Sequence, residues 1–354
     1  MWFIFNIICL LLLKTVISSK CEAPNKLTVY ANDDRNRLFV ECVDSSVQDS
    51  LFNGYQIEKI VLDHNSEQTL KKETVKNMKH LQSISYYSSQ GRDLESKAFE
   101  NLPSLQAICL VMENLEKIPK DVFSKIPSLQ RIILQANQIS IIEKDAFSEL
   151  PNLEEVDVSS NKLKSFKPEW FSNTVNIQVL DFQENEITSI PPKAFAGFRQ
   201  LREVYLNSNK ISIIGEGAFE GIEHLDHLGL ERNHLTQIQD NIFPNNIAID
   251  TLGIAANYLN FLSSKLRKKV QVSEIIMHGN PWKCACFDEI KLWLEKSNAV
   301  ANNMDCSRSD VPVCAVSVIT SPICEEKVDS DVNKVFFEAL SKVQPRFNRE
   351  CAQF

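Results

Sequence analysis

The chain has 354 residues and carries 46 Asp and Glu against 38 Lys and Arg, a formal net charge of −8. An acidic balance of this kind argues against nucleic acid as a partner. Beyond the first 13 residues no stretch reaches the roughly 18 consecutive apolar residues of a membrane-spanning helix, so no membrane span is expected.

Residues 2–13 form an apolar run of signal-peptide length, followed by small residues at Ser18 and Ser19. The expected leader is 1–19, which makes the mature protein secreted and extracellular. The final residues after Cys351 leave no room for a glycolipid-anchor signal. Loss of the leader removes Cys9 and leaves nine cysteines, an odd number. Next, Cys21 and Cys42 flank two short β-like runs, 26–30 and 37–40. The spacing predicts a disulfide-stapled hairpin, Cys21–Cys42, closing an amino-terminal cap over 20–56.

From residue 57 to 282 the chain repeats itself. Phe99, Phe123, Phe147, Phe171, Phe195, Phe219 and Phe243 recur every 24 residues. In step with them run about ten units starting at Ile57, Leu81, Leu105, Leu129, Leu153, Ile177, Leu201, Leu225, Ile249 and Val272, the last step being 23 residues. Most carry Leu or another apolar residue at positions 1, 4, 6 and 11, the first two units departing at position 11 with Glu67 and Gly91. Asn stands at position 9 in Asn65, Asn137, Asn161, Asn185, Asn209, Asn233, Asn257 and Asn280, replaced by Ser89 and Glu113 in the second and third units. Strict self-similarity at this period means a solenoid in which each unit buries its apolar edge against its neighbours. Positions 4 and 6 alternate with polar residues, as in one short strand with one buried face. A buried Asn at the strand exit predicts a ladder of side-chain bonds to adjoining backbone. The phenylalanines predict a second spine on the return path.

Units such as Leu153-x-x-Val156-x-Val158-x-x-Asn161-x-Leu163 resemble the leucine-rich repeat family. The fold this implies is an α/β repeat solenoid, an arc with a parallel concave β-sheet and disulfide-stapled caps at both ends. After the last unit, Asn280-Pro281-Trp282-Lys283-Cys284-Ala285-Cys286 is similar to the cysteine cap of extracellular members, here 283–326. That resemblance implies the pairs Cys284–Cys306 and Cys286–Cys324. Cys314 and Cys351 are extra to the pattern and are paired with each other, with Cys314 in place of Cys306 or Cys324 as the alternative. A zinc site is the rival use of Cys-x-Cys, but disulfides prevail in a secreted chain. A short amphipathic helix within 327–354, ended by Pro345, is too brief for a coiled coil.

The repeat also sorts the surface, because positions 3, 5, 7 and 8 turn away from the core. The early units place Val61, Tyr87, Ala107, Cys109, Val111, Met112, Ile133 and Ala136 there, an apolar cluster that calls for a partner. Cys109 is the cysteine left without an assigned partner: a shielded, inert thiol or an intermolecular disulfide to a partner. The middle units place Glu155, Asp157, Asp181, Glu184, Glu203 and Glu231 there, with Tyr205 and Arg232 among them. Neighbouring coils lie only about 5 Å apart, so these like charges repel and cost stability. Asn207 also falls at an outward position. The basic runs Lys71, Lys72, Lys76, Lys79 and Lys265, Arg267, Lys268, Lys269 are expected on solvated return paths. His64, His227 and His278 are too widely spaced for one metal or nucleophile, and His224, His227 and His234 diverge in direction. Catalytic, cofactor and metal sites are therefore not expected, and the absence of an Asn-x-Ser/Thr sequon leaves the surface free of N-glycan.

The resemblance extends to Toll-like receptor ectodomains and to secreted leucine-rich immune proteins of insects. It implies a recognition protein of innate immunity, while the apolar cluster and the acidic band call for a protein ligand with an apolar knob and a basic flank, and Cys109 for a disulfide-linked partner. A developmental or adhesion ligand and a structural matrix spacer are the alternatives.

Overall fold

The computed structural model describes residues 27–32, 37–43, 46–63, 70–87, 93–111, 114–302, 314–316 and 323–343. The leader, Cys21, Met112, Cys306 and Cys351 lie outside them. The chain falls into two compact units, Met1–Leu163 with Pro168–Ile177, and Lys164–Lys167 with Gln178–Phe354.

In the first unit, β1 (Leu27–Asn32) and β2 (Arg37–Val43) form the expected antiparallel hairpin, and Cys42 is in a disulfide. β1 then pairs antiparallel with β3 (Lys59–Asp63), which starts the repeats. β5 (Ser83–Tyr87), β7 (Ala107–Val111), β9 (Arg131–Ile133) and β11 (Glu155–Asp157) follow in parallel order. The register matches the sequence period: Ile60, Ile84, Ile108, Ile132 and Val156 stand opposite one another and are buried. On the return path β4 (Val75–Lys76) pairs with β6 (Phe99–Glu100), and β8 (Lys117–Ile118) with β10 (Ile141–Ile142). The phenylalanine spine runs Phe99, Phe123, Phe147, Phe171 with ring centroids 6.5, 5.9 and 5.2 Å apart.

The second unit continues the same plan with β12 (Val179–Asp181), β14 (Glu203–Tyr205), β16 (His224–Gly229), β17 (Ile247–Gly253) and β18 (Val270–Ile276), all parallel. β13 (Ser189–Ile190) and β15 (Ile213–Ile214) pair on the return path. Leu252 stands opposite Ile275, so the 23-residue last step is absorbed without a break in register. Short β19 (Val300–Ala301) ends the sheet. Phe195, Phe219 and Phe243 stack at 5.1 Å intervals.

The asparagine ladder is present in both units. Asn161 donates to Leu134 O (3.0 Å) and its Oδ1 accepts from Ile139 N (2.8 Å). Asn209, Asn233, Asn257 and Asn280 each donate to the preceding coil at 2.9 Å. Such an asparagine meets a backbone that has left the strand and has no sheet partner, so it satisfies groups whose burial would otherwise be costly.

The carboxy-terminal cap follows the alternative pairing, with Cys314 in the place of Cys306. Cys286 bonds to Cys324, but Cys284 bonds to Cys314, which displaces both Cys284–Cys306 and Cys314–Cys351. The reason is a backbone bridge. Ala315 N donates to Trp282 O (2.8 Å) and Cys284 N to Ala315 O (3.3 Å), which brings the Cα atoms of Cys284 and Cys314 to 4.9 Å. Two helices, Cys284–Ser297 and Ser330–Val343, complete the cap. The second buries Val332, Phe336 and Leu340 against Ala315. Its entry is pinned by fully buried Asn260, which donates to Pro281 O and Asn333 Oδ1 and accepts from Asp329 N. Arg267, expected on a solvated surface, instead bonds Leu262 O, Glu289 O and the Glu289 carboxylate, so it is a cap residue.

Candidate functional site

In the first unit the outward row runs Val61, Ser85, Cys109, Ile133, Asp157 across consecutive strands. Its early part is not an open apolar cluster. Val61 is 9% exposed, Ser85 3% and Cys109 5%. Val61 stands opposite Tyr30 of the hairpin, itself buried, so the added strand shields it. Cys109 is shielded, but its sulfur is in a disulfide and is not a free thiol, and among the described residues no cysteine is free. Tyr87, Val111, Ala107 and Ile133 are half-buried, and burial pushes the Tyr87 hydroxyl pKa up. Asp157 turns its Oδ1 back to accept from Ser159 N at 2.8 Å. Burial still raises its carboxyl pKa, against the opposing bonds from Ser159.

The second unit presents a different face. Its two outward rows run Asp181, Tyr205, Gly229, Gly253, Ile276 and Val179, Glu203, His227, Thr251, Glu274. The Tyr205 ring stacks on His227 with centroids 4.8 Å apart and planes at 27°, and its hydroxyl donates to Glu203 Oε2 at 2.5 Å. Burial first, then the Glu203 bond and the charges of Glu203, Asp181 and Asp226, hold that hydroxyl far above the usual tyrosine range. Burial pushes His227 down, opposed by Glu203 and Glu274, so its ring is neutral at physiological pH. Asp181 accepts from both Gln183 N (3.0 Å) and Gln183 Nε2 (2.9 Å). Glu184 lies exposed at the following turn, with φ 54°.

Beside the ring pair the row drops to two glycines, and neighbouring side chains lie in the gap. A Cβ on Gly229 would stand 2.0 Å from Asn207 Oδ1, and one on Gly253 2.0 Å from Glu231 Oε1. Asn207 Oδ1 and Glu231 Oε2 are buried there without a hydrogen-bond partner. Burial raises the Glu231 carboxyl pKa, and burial followed by the Arg232 charge lowers that of His278. The sequence placed Asp181, Glu203, Tyr205 and Glu231 on this face but did not bring out the His227 stack or the paired gaps. Glycine at the same outward position in two consecutive units, in a chain with only nine glycines, was the available signal.

At the strand entry His224 Nε2 lies 3.1 Å from Asp250 and Nδ1 3.4 Å from Asp226, three potential ligand atoms within 4.8 Å of one another. Arg202 Nη1 stands 2.8 Å from the same Nδ1. Its fixed positive charge opposes a metal cation there, and the group is a hydrogen-bonded cluster of Arg202, His224, Asp226 and Asp250.

The family model for the BspA type leucine rich repeat region matches residues 45–178, 116–250 and 164–280, in six copies. The chain belongs to this leucine-rich repeat family. No curated protein matches the sequence. Among solved structures, the leucine-rich repeat chain is similar to one in the crystal structure of the mouse RP105/MD-1 complex, with a TM-score of 0.51 and 19% identity over 70% of this chain. It spans 47% of that chain, and at this identity the likeness is one of fold alone. The crystal structure of the TLR13-ssRNA13 complex aligns at a TM-score of 0.42 and 21% identity, over 56% of this chain and 32% of that one.

Proposed function

We propose that this leucine-rich repeat chain is a secreted, non-enzymatic recognition protein that binds a protein partner through the outward strand face of its second unit, in innate immunity. The observation that carries the reading is the composition of that face. Asp181, Glu203, Tyr205 and His227 stand partly exposed on parallel strands whose alternate residues, such as Leu180, Val204 and Leu228, are buried in the apolar core. Side chains that the core does not need, yet that are held in fixed positions by stacking and hydrogen bonds, suit recognition of a ligand. The disulfides of the carboxy-terminal cap support an oxidising, extracellular setting. The immune setting draws on the resemblance of the capped repeats to Toll-like receptor ectodomains and secreted insect immune proteins. The shielding of Val61 and Cys109 narrows the apolar part of the expected contact to Tyr87, Val111 and Ile133, and the acidic face favours a basic flank on the ligand.

The test compares capture from extracellular fluid, with and without immune challenge, by the wild-type chain and by Asp181→Arg/Glu203→Arg. A partner retained by the wild type and lost by the variant at unchanged melting temperature is the expected result. Equal capture by both would move the interface off this face.

A further inference from the structure

The ring pair of Tyr205 and His227 has the chemistry of a guanidinium platform. A planar cation is attracted to an aromatic face, and the attraction grows as water is excluded. Both rings are half-buried, and burial, outweighing the acidic neighbours, pushes the histidine pKa down. One face of Tyr205 is taken by His227 on β16, so its other face lies on the side of β12, where Asp181 stands opposite it in register. Carboxylates surround the pair: Glu203 holds the Tyr205 hydroxyl, Asp181 and Asp226 act on the same ring, and Glu274, which accepts from Asn302, acts on His227.

An independent observation concerns donors. Asn207 follows Tyr205 by two residues, and adjacent outward positions along a strand share one face. Its Oδ1, like Glu231 Oε2 in the next coil, is buried over a glycine without any donor. Unsatisfied buried acceptors are rare in folded proteins. Turning Asn207 out of the Gly229 gap costs its Oδ1 no hydrogen bond. Turning Glu231 out of the Gly253 gap trades its backbone bonds from Glu231 and Leu230 for a partner to the unpaired Oε2, so both oxygens can meet a ligand rich in N–H groups.

We propose that this face binds an arginine side chain of a protein partner. The guanidinium lies on the Tyr205 ring and is held by Glu203 and Asp181. Asn207 and Glu231 swing out of their gaps to accept the remaining N–H groups of the arginine and of the adjoining backbone. The inference rests on the reading of this face as the partner-binding surface and adds the chemical group it takes. Arginine is favoured over lysine because a stacked plane with forked acceptors suits a planar fork of donors and offers little to a point charge.

The experiment titrates the full secreted chain with an acetylated Gly-Arg-Gly amide, following the His227 imidazole resonances by NMR. The counterparts are the same peptide carrying citrulline, which keeps the shape without the charge, the peptide carrying lysine, and free N-acetylglucosamine. The expected result is a saturable shift with arginine, weakened at least tenfold with citrulline and with lysine, and absent with the sugar. Tyr205→Leu should abolish the shift and Glu203→Gln should weaken it, each with an unchanged melting curve, while Tyr205→Phe keeps the stack and retains binding. Equal responses to arginine and citrulline, equal responses to arginine and lysine, or a response to the sugar would each overturn the proposal. If the arginine peptide fails while Asp181→Arg/Glu203→Arg still loses the captured partner, the platform is wrong and the binding face stands.

Discussion

The side-chain amide of Asn209 donates to Phe182 O in the preceding coil at 2.9 Å, while its Oδ1 accepts from Ile187 N at 2.9 Å. One side chain thus satisfies two buried backbone groups of its neighbour as well as Leu206 O of its own turn. The contrast with Asn207, two residues earlier, separates structure from recognition. Asn209→Ala should destabilise the chain by roughly 1 to 3 kcal/mol, the cost of orphaning buried backbone groups. Asn207→Ala should stay within about 0.5 kcal/mol, because its buried oxygen has no bond to lose. Chemical denaturation of the two variants checks this, and equal losses would contradict the ladder.

Gly215 and Gly197 make a second pair. A Cβ at 215 would lie 2.3 Å from Pro192 N and 2.6 Å from Pro191 C, backbone atoms fixed by two consecutive prolines. Gly215→Ala should therefore cost about 1 to 3 kcal/mol, as overpacking does. At Gly197 a Cβ meets nothing within 4 Å, so Gly197→Ala should stabilise by about 0.4 to 1 kcal/mol through the unfolded chain. Thermal melts of both variants would give shifts of opposite sign.

The cap pairing predicts a pattern among serine variants. Cys284→Ser, Cys314→Ser and the double variant remove the same bond and should share one loss of about 2 to 5 kcal/mol. Peptide mapping of the unreduced protein should recover a linked Cys284–Cys314 pair. Recovery of Cys284 joined to Cys306 would refute the structure in this region.

Stability should also depend on pH through the half-buried histidines. Burial lowers the folded-state pKa of His227 and of His278 below the ordinary value of 6.5. Above 6.5 both states are neutral and their contribution is fully present. As pH falls through 6.5 the unfolded chain binds the protons first, so stability declines until the depressed folded pKa values are reached. The raised carboxyl of Glu231 acts in the opposite sense, gaining stability as pH falls through its folded pKa. Comparing melts from pH 8 to 5.5 for wild type and His227→Gln/His278→Gln isolates the histidines. The variant should show the shallower loss on acidification, and parallel curves would exclude this origin.

The repeat architecture was legible in the sequence because it is a local rule applied many times. Leucines at positions 1, 4 and 6 can be buried only against the next copy, and the observed register follows the 24-residue spacing, including the 23-residue last step. The ladder asparagines and the stacked phenylalanines follow from the same periodicity. So does the direction of Asp181, Glu203, Tyr205 and Glu231, since the pleat of a strand turns alternate residues outward.

What only the tertiary structure decided lies between residues that no period relates. The Lys283 to Ala315 bridge selects Cys314 over Cys306, and Asn260 draws the last helix onto the cap across about 70 residues of chain. Outward direction likewise did not mean exposure. Val61 is shielded by the hairpin strand beside it and Cys109 is sealed in a disulfide, whereas glycine at 229 and 253 opens gaps that Asn207 and Glu231 occupy. A pattern in sequence assigns a side chain to a face. What covers that face, or leaves it open, depends on the volume of neighbours one coil away and on segments arriving from elsewhere, and these exist only once the chain is packed.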